Sequence, residues 1–162
     1  MKRAILGLLA VLVVLSLVGC AANTATPTAS SLPAQAAGWS VAVEGASKAA
    51  FTQADYSALK EVMIDATKKK KDGSTETNKY TGVLISDVLN ALGAADFSTI
   101  TLTASDGFAA DITKDMLGNK AIFAIKIDGA ALDESDKPIM SVLDGQASKT
   151  WVKGIVKITV SK

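Results

Sequence analysis

The chain has 162 residues, with 17 lysines and arginines against 16 aspartates and glutamates, and no histidine. Its one cysteine, Cys20, and its one arginine, Arg3, both lie near the start of the chain. The rest therefore lacks the thiolate and imidazole ligands of zinc, copper and haem sites, and it lacks Ser-His and Cys-His triads. A near-neutral charge and only 5% aromatic residues also argue against nucleic acid as a partner.

The first segment in chain order is a predicted signal peptide over residues 1–19. Lys2 and Arg3 precede an apolar run over residues 4–18, with small residues before the cut. The alternative is a transmembrane helix, but the run is shorter than the roughly 20 residues such a helix needs. Leu-Val-Gly before Cys20 resembles a bacterial lipobox, and that resemblance implies a diacylglycerol on Cys20. We therefore expect an extracytoplasmic protein that is lipid-anchored to the bacterial cell membrane through Cys20.

A tether and one domain follow the signal. Residues 20–37 comprise the lipidated cysteine and a stretch of small, uncharged residues that includes two prolines, which predicts a flexible tether. Residues 38–162 have the size and composition of one folded domain.

Short strands and short helices alternate along this domain. Apolar alternation and turn residues predict seven strands, at 39–43, 62–67, 100–104, 108–112, 121–127, 139–143 and 155–160. Three helices are predicted, from a Thr52 cap to about residue 60, over roughly 84–92, and for one turn after Thr113. Residues 68–78 are interpreted as a charged loop that turns at Asp72 and Gly73. This order predicts an α+β fold, a single compact domain of mixed, curled β-sheet with a few short helices.

Five phrases of the domain carry a family resemblance. In chain order they are Val41-Ala42-Val43-Glu44-Gly45 with Phe51-Thr52, then residues 80–89, residues 102–108, residues 121–124 with Asp128-Gly129, and residues 149–155. Together they resemble the oxidoreductase molybdopterin-binding domain of the sulfite oxidase type over nearly all of residues 39–160. The resemblance implies that family's compact α+β fold, and it implies molybdopterin as the cofactor of an active member.

The chain departs from that family at the residues that hold the cofactor. The resemblance implies a molybdenum-binding cysteine just upstream of Tyr80-Thr81-Gly82, but residues 66–79 contain no cysteine. It also implies arginine and histidine around the pterin phosphate and an oxyanion substrate, and residues 20–162 contain neither. Because a lost thiolate removes metal affinity and redox tuning, we expect no molybdenum catalysis, no metal ligands and no bound cofactor.

Two segments supply candidate ligand-binding residues. Lys149, Trp151 and Lys153 precede the last strand, and Tyr80 and Thr81 match the phrase at the family's cofactor site. An aromatic ring with ammonium groups suits an anionic or flat ligand. In the alternative interpretation, Trp151 is a core-edge aromatic surrounded by lysine stems, while Tyr80 and Thr81 begin a helix.

Two charged sets are interpreted as structural. Carboxylates recur beside turns, where they suit either Ca²⁺ or ordinary turn chemistry, and three of the four precede glycine: Asp106, Asp111, Asp128 and Asp144. No Asp-x-Asp-x-Asp loop is present, so we favour the turn interpretation. Residues 68–71 are four lysines, interpreted as a solvated hairpin rather than a membrane contact.

Three functions remain open at this point. The leading hypothesis is a lipid-anchored binding or accessory domain without catalysis, whose partners are the membrane and an anionic small molecule or an envelope protein. The first alternative is an active molybdopterin-dependent oxidoreductase. The second is a structural interaction module of the envelope. A pocket containing the candidate residues favours the first hypothesis, and bound molybdenum favours the enzyme.

Overall fold

A computed structural model describes residues 38–118 and 120–162. The predicted signal, Cys20 and the whole of the predicted tether lie outside the described residues. The ten strands are β1 Ser40–Glu44, β2 Ala50–Thr52, β3 Glu61–Lys69, β4 Thr75–Leu84, β5 Thr99–Ala104, β6 Ala109–Thr113, β7 Ala121–Ile127, β8 Ala130–Ala131, β9 Met140–Leu143 and β10 Ile155–Ser161. The helices are α1 Gln53–Ala58, α2 Ile85–Ala91 and α3 Lys114–Leu117, with a 3-10 turn at Ser148–Thr150.

The strands form two sheets. The first has the order β2-β1-β10-β5-β6, in which β1 and β10 are parallel and all other neighbours are antiparallel. The second has the order β3-β4-β7, and the far edge of β7 is shared by β8 and β9. The fold is therefore α+β with mixed sheet, as predicted.

Two apolar clusters lie on opposite faces of the second sheet. The larger cluster joins both sheets and α2, and Phe51 of the first sheet meets Phe123 of β7 with ring centroids 6.4 Å apart. Because side chains alternate along a strand, Ile122 and Ala124 point the other way. They belong to a smaller cluster that also contains Tyr80 and Trp151. The candidate site therefore lies on the face of this sheet that is turned away from the main core.

Local chemistry explains the elements that the sequence predicted correctly. Thr52 caps α1, because its Oγ1 accepts a hydrogen bond from the Asp55 N–H and the Asp55 carboxylate accepts one from the Thr52 N–H. Ile85, Val88 and Leu89 of α2 bury one helical face. Within the described residues, no helix is long and apolar enough to cross a membrane.

One segment of the prediction is wrong. Residues 68–78, interpreted as a loop, are largely paired strand, because β3 and β4 hold an unbroken register from Glu61–Val83 to Lys69–Thr75. Tyr80 and Thr81 accordingly lie inside β4 and do not begin a helix. Cross-strand contacts such as the 2.8 Å bond between the Thr67 and Thr77 hydroxyls extend the hairpin to its Asp72 turn. Tertiary pairing thus overrides the strand-breaking effect of the lysine run.

Candidate functional site

The centre of the candidate site is an aromatic pair. Tyr80, in β4, and Trp151, just after the 3-10 turn, are only 2% and 5% exposed. Their ring centroids are 5.4 Å apart with the planes at 69°, an edge-to-face contact. The sequence left open whether Trp151 lines a cleft or belongs to the core edge. The structure places Trp151 in the smaller apolar cluster with Tyr80.

The backbone around Trp151 is fixed by a buried serine. The Ser141 Oγ of β9 donates to the Thr150 carbonyl at 2.9 Å and accepts from the Val152 N–H at 2.8 Å. The residues on both sides of Trp151 are thereby fastened to β9. The indole Nε1–H is buried, and no described residue accepts a hydrogen bond from it. A buried donor without an acceptor costs roughly 1–3 kcal/mol, so this N–H is a feature that a bound acceptor oxygen would satisfy.

Two lysines surround the pair. The Lys68 Nζ lies 5.5 Å from the Trp151 ring centroid, in cation–π geometry. The Lys153 Nζ contacts the Asp136 Oδ2 at 2.6 Å, and the Asp136 side chain is 7% exposed while that of Lys153 is 50% exposed. The Lys68 ammonium therefore covers the indole face, and the Lys153 ammonium, two residues after Trp151 in the chain, is paired with a nearly buried carboxylate.

The Tyr80 phenol is held neutral. Burial is the main cause that raises the pKa of Tyr80, and the charges of Glu76 and Asp128 add to it. A hydrogen bond from Asn78 and the positive charge of Lys153 act against this rise. The Asn78 Nδ2 lies 3.4 Å from the phenol oxygen, so this oxygen is an acceptor there, and no residue in the described part of the chain accepts from its O–H.

The structure brings two of the five candidate residues into contact. Tyr80 and Trp151 are in ring contact, and Lys153, two residues after Trp151, pairs with Asp136. Thr81 is buried on the opposite face of β4, which it shares with Val83. Lys149 is exposed and lines a separate cavity of about 310 Å³ beside β6 and the 3-10 turn.

The sequence interpretation missed Lys68 and Asp136. Lys68 was assigned to the solvated lysine run, although the alternation of β3 puts it on the same face as Ala66, a member of the smaller cluster. Extending the period-two pattern past residue 67 would have shown this. Nothing in the local sequence distinguishes Asp136 from its acidic neighbours, because its burial comes from the return of the chain at Gly154, whose N–H donates to the Asp136 carbonyl.

The turn carboxylates act as backbone acceptors. Asp106 accepts from the Phe108 N–H, Asp128 from the Lys79 N–H and Asp144 from the Thr67 N–H, each at 2.9 Å. Asp106 thus accepts within its own turn, as predicted, whereas Asp128 and Asp144 connect their turns to β4 and β3. In the described part of the chain, no three His, Cys, Asp or Glu residues are grouped so that they could hold a metal ion.

Comparison with known proteins identifies the family. Residues 27–162 match the oxidoreductase molybdopterin binding domain, and the chain belongs to that family. Among solved structures, it is similar to the sulfane dehydrogenase SoxCD from Paracoccus pantotrophus, with a TM-score of 0.67 and 16% identity. The similarity covers 76% of this chain and 38% of that one, so the chain spans well under half the length of that protein. A sequence search of curated proteins finds no match.

The donor set does not fit a molybdenum cofactor. Residues 38–162 contain no cysteine, histidine or arginine, so they offer no thiolate for the metal and no guanidinium for a phosphate. Gly82 does not provide space for a cofactor either. A Cβ at this position would lie 2.1 Å from the Phe123 carbonyl oxygen, so the space beside this glycine is occupied by the backbone of β7.

Proposed function

We propose that the protein is a lipid-anchored, extracytoplasmic binding domain that uses this family's fold without molybdenum catalysis. Its ligand site is the group Lys68, Tyr80, Trp151 and Lys153, called here the Tyr80–Trp151 site. The observation that carries the proposal is the buried Trp151 N–H, which has no acceptor among the described residues and belongs to a ring whose face the Lys68 ammonium covers.

The chemistry of the site favours a small ligand with acceptor oxygens. The indole N–H and the Tyr80 O–H would each form a hydrogen bond by donating to such an oxygen, and the two lysines favour a negatively charged ligand. Lys68 is the movable part. Its long side chain covers the indole face, whereas the backbone on both sides of Trp151 is fastened to β9 through Ser141. Displacement of the Lys68 side chain would admit a ligand without unfolding the sheet.

Indole fluorescence tests this site directly. Trp39→Phe leaves Trp151 as the only indole, and Trp39 packs edge-to-face against Phe51 at 5.6 Å, so phenylalanine suits its place. Titration with a panel of small carboxylates and phosphorylated metabolites should give a saturable change for at least one compound. Lys68→Met should weaken that binding, because it removes the charge over the ring while keeping the stem.

Lys69→Met is the matched control. Lys69 is the next residue of β3 and points to the other face of the sheet, so its loss should leave binding unchanged. A panel without any saturable response, or equal losses in the two variants, would reject the ligand site.

The membrane anchor is tested separately. Cys20→Ser should release the protein from membranes or stall its processing, because the diacylglycerol on Cys20 is the proposed anchor. Membrane retention of a correctly cut but unlipidated chain would contradict the anchor and leave the ligand site untouched.

Family membership supports one other function. An active molybdopterin-dependent oxidoreductase would need its metal held without a protein thiolate, histidine or arginine from residues 38–162. Molybdenum content distinguishes the two proposals, since the binding domain requires none.

A further inference from the structure

The second sheet ends in a strand whose outer edge is only partly covered. The Thr67 N–H of β3 donates to the Asp144 Oδ1 at 2.9 Å, and the Thr67 carbonyl accepts from the Gly145 N–H at 2.8 Å. The Lys69 N–H donates to the Gln146 carbonyl at 3.3 Å. The loop at residues 144–147 therefore covers the carboxyl-terminal end of β3, and it touches no backbone group before Thr67.

The remaining edge presents a regular row of free backbone groups. The register between β3 and β4 is unbroken, so outward-pointing groups recur at every second residue from Thr67 back to Asp65, Met63 and Glu61. No described residue forms a backbone hydrogen bond with these three on the outer side. Each supplies one N–H and one C=O. An open edge of this kind is a template for another strand.

The side chains along this edge have a distinct pattern. Met63 is 63% exposed, the highest value among the large apolar residues that the structure describes. Glu61 and Asp65 flank it on the same face and are exposed. In the described structure neither carboxylate has a lysine ammonium within 4.0 Å, although Lys79 stands opposite Asp65 in β4. Every second residue along this edge is therefore exposed, and these residues are acidic, apolar and acidic in turn: Glu61, Met63 and Asp65.

We propose that the edge Glu61–Asp65, called here the β3 edge, binds an extended segment of a partner protein as an added strand. Side chains directly opposite each other in neighbouring strands interact most strongly. The partner segment should therefore carry an apolar residue opposite Met63, with lysine or arginine two positions to either side. This partner site is independent of the Tyr80–Trp151 site.

A second copy of the chain fits this edge poorly. Antiparallel pairing of two copies about Met63 would set Glu61 of one copy opposite Asp65 of the other, twice over. Like charges placed directly opposite are destabilising. The charge pattern that disfavours self-pairing is the same one that favours a basic partner.

Hydrogen exchange by NMR on the full chain tests the proposal. The probe is a peptide with blocked ends and Lys-Thr-Leu-Thr-Lys at its centre. At saturation the amides of Met63 and Asp65 should exchange at least about tenfold more slowly, since backbone pairing protects them. Those of Val62 and Ile64, which face β4, should not change. This alternation distinguishes strand addition from a side-chain or purely ionic contact.

Matched substitutions complete the test. Met63→Lys should weaken the peptide by about tenfold, which corresponds to about 1.4 kcal/mol. Phe108→Lys introduces the same charge at another exposed apolar residue and should have no effect. The proposal is overturned by binding without alternating protection, by no binding at millimolar peptide, or by equal losses in both variants. Protection of Met63 and Asp65 before any peptide is added also overturns it, because the edge would then be covered by this chain or a second copy.

Discussion

Removal of the Lys153 ammonium tests the energetics of the site rim. In the Lys153→Met variant the Asp136 carboxylate, 7% exposed, keeps one side-chain partner among the described residues, the Ser135 Oγ at 3.2 Å. Breaking a fully buried ion pair from one side costs about 3–5 kcal/mol. Lys153 is half in water, so the pair is partly screened and we expect a loss of about 2 kcal/mol. For a domain of this size that loss lowers the melting temperature by about 8 °C.

Urea unfolding of the single and double variants provides the assay. Adding Asp136→Asn to Lys153→Met should restore at least about half of the lost stability, because the amide leaves no unpaired charge. The matched control is Lys149→Met, an exposed lysine on the same segment, which should change stability by less than about 0.5 kcal/mol. The reasoning fails if Lys153→Met is as stable as this control, or if the double variant is no more stable than Lys153→Met.

Three further perturbations have defined outcomes. Thr52→Ala should cost about 1 kcal/mol in urea unfolding, because it removes the α1 cap; a change below about 0.3 kcal/mol would contradict this. Burial raises the pKa of Asp55, but hydrogen bonds to its carboxylate outweigh burial and lower it overall. Because the unfolded chain then binds more protons, Asp55 stabilises the fold above about pH 4, and this stabilisation is lost as the pH falls below that value. In acid titrations of the unfolding free energy, Asp55→Asn should abolish this part of the pH dependence. Gly82→Ala should cost about 3 kcal/mol or more, since its Cβ would strike the Phe123 carbonyl 2.1 Å away, and normal melting would refute that packing.

The fold was predictable where local patterns and tertiary pairing agree. Strand β7 was predicted over residues 121–127, its observed range, because a continuous apolar run is buried on both faces. The Thr52 cap of α1 and the Asp-Gly turns follow from short-range chemistry. The β3–β4 hairpin was missed because cross-strand pairing determines whether a lysine-rich segment forms a strand. The paired residues lie up to 22 positions apart in sequence, at Glu61 and Val83.

The site residues that are close in sequence, or that belong to a family phrase, were predictable, whereas those joined only by tertiary structure were not. Trp151 and Lys153 lie close in sequence, and the family phrase pointed to Tyr80. Lys68 joins them only through its place in β3, and Asp136 only through the return of the chain at Gly154. The β3 edge could not be read from the sequence at all, because a free edge depends on which strands fail to find a neighbour.

Elemental analysis combined with native mass spectrometry tests the central claim most directly. The protein would be purified from its own host under mild conditions, and molybdenum would be measured per chain alongside the intact mass. The account predicts no stoichiometric molybdenum and no mass increment of a molybdopterin, because residues 38–162 supply no thiolate, imidazole or guanidinium. Near-stoichiometric molybdenum would contradict it and establish the oxidoreductase instead.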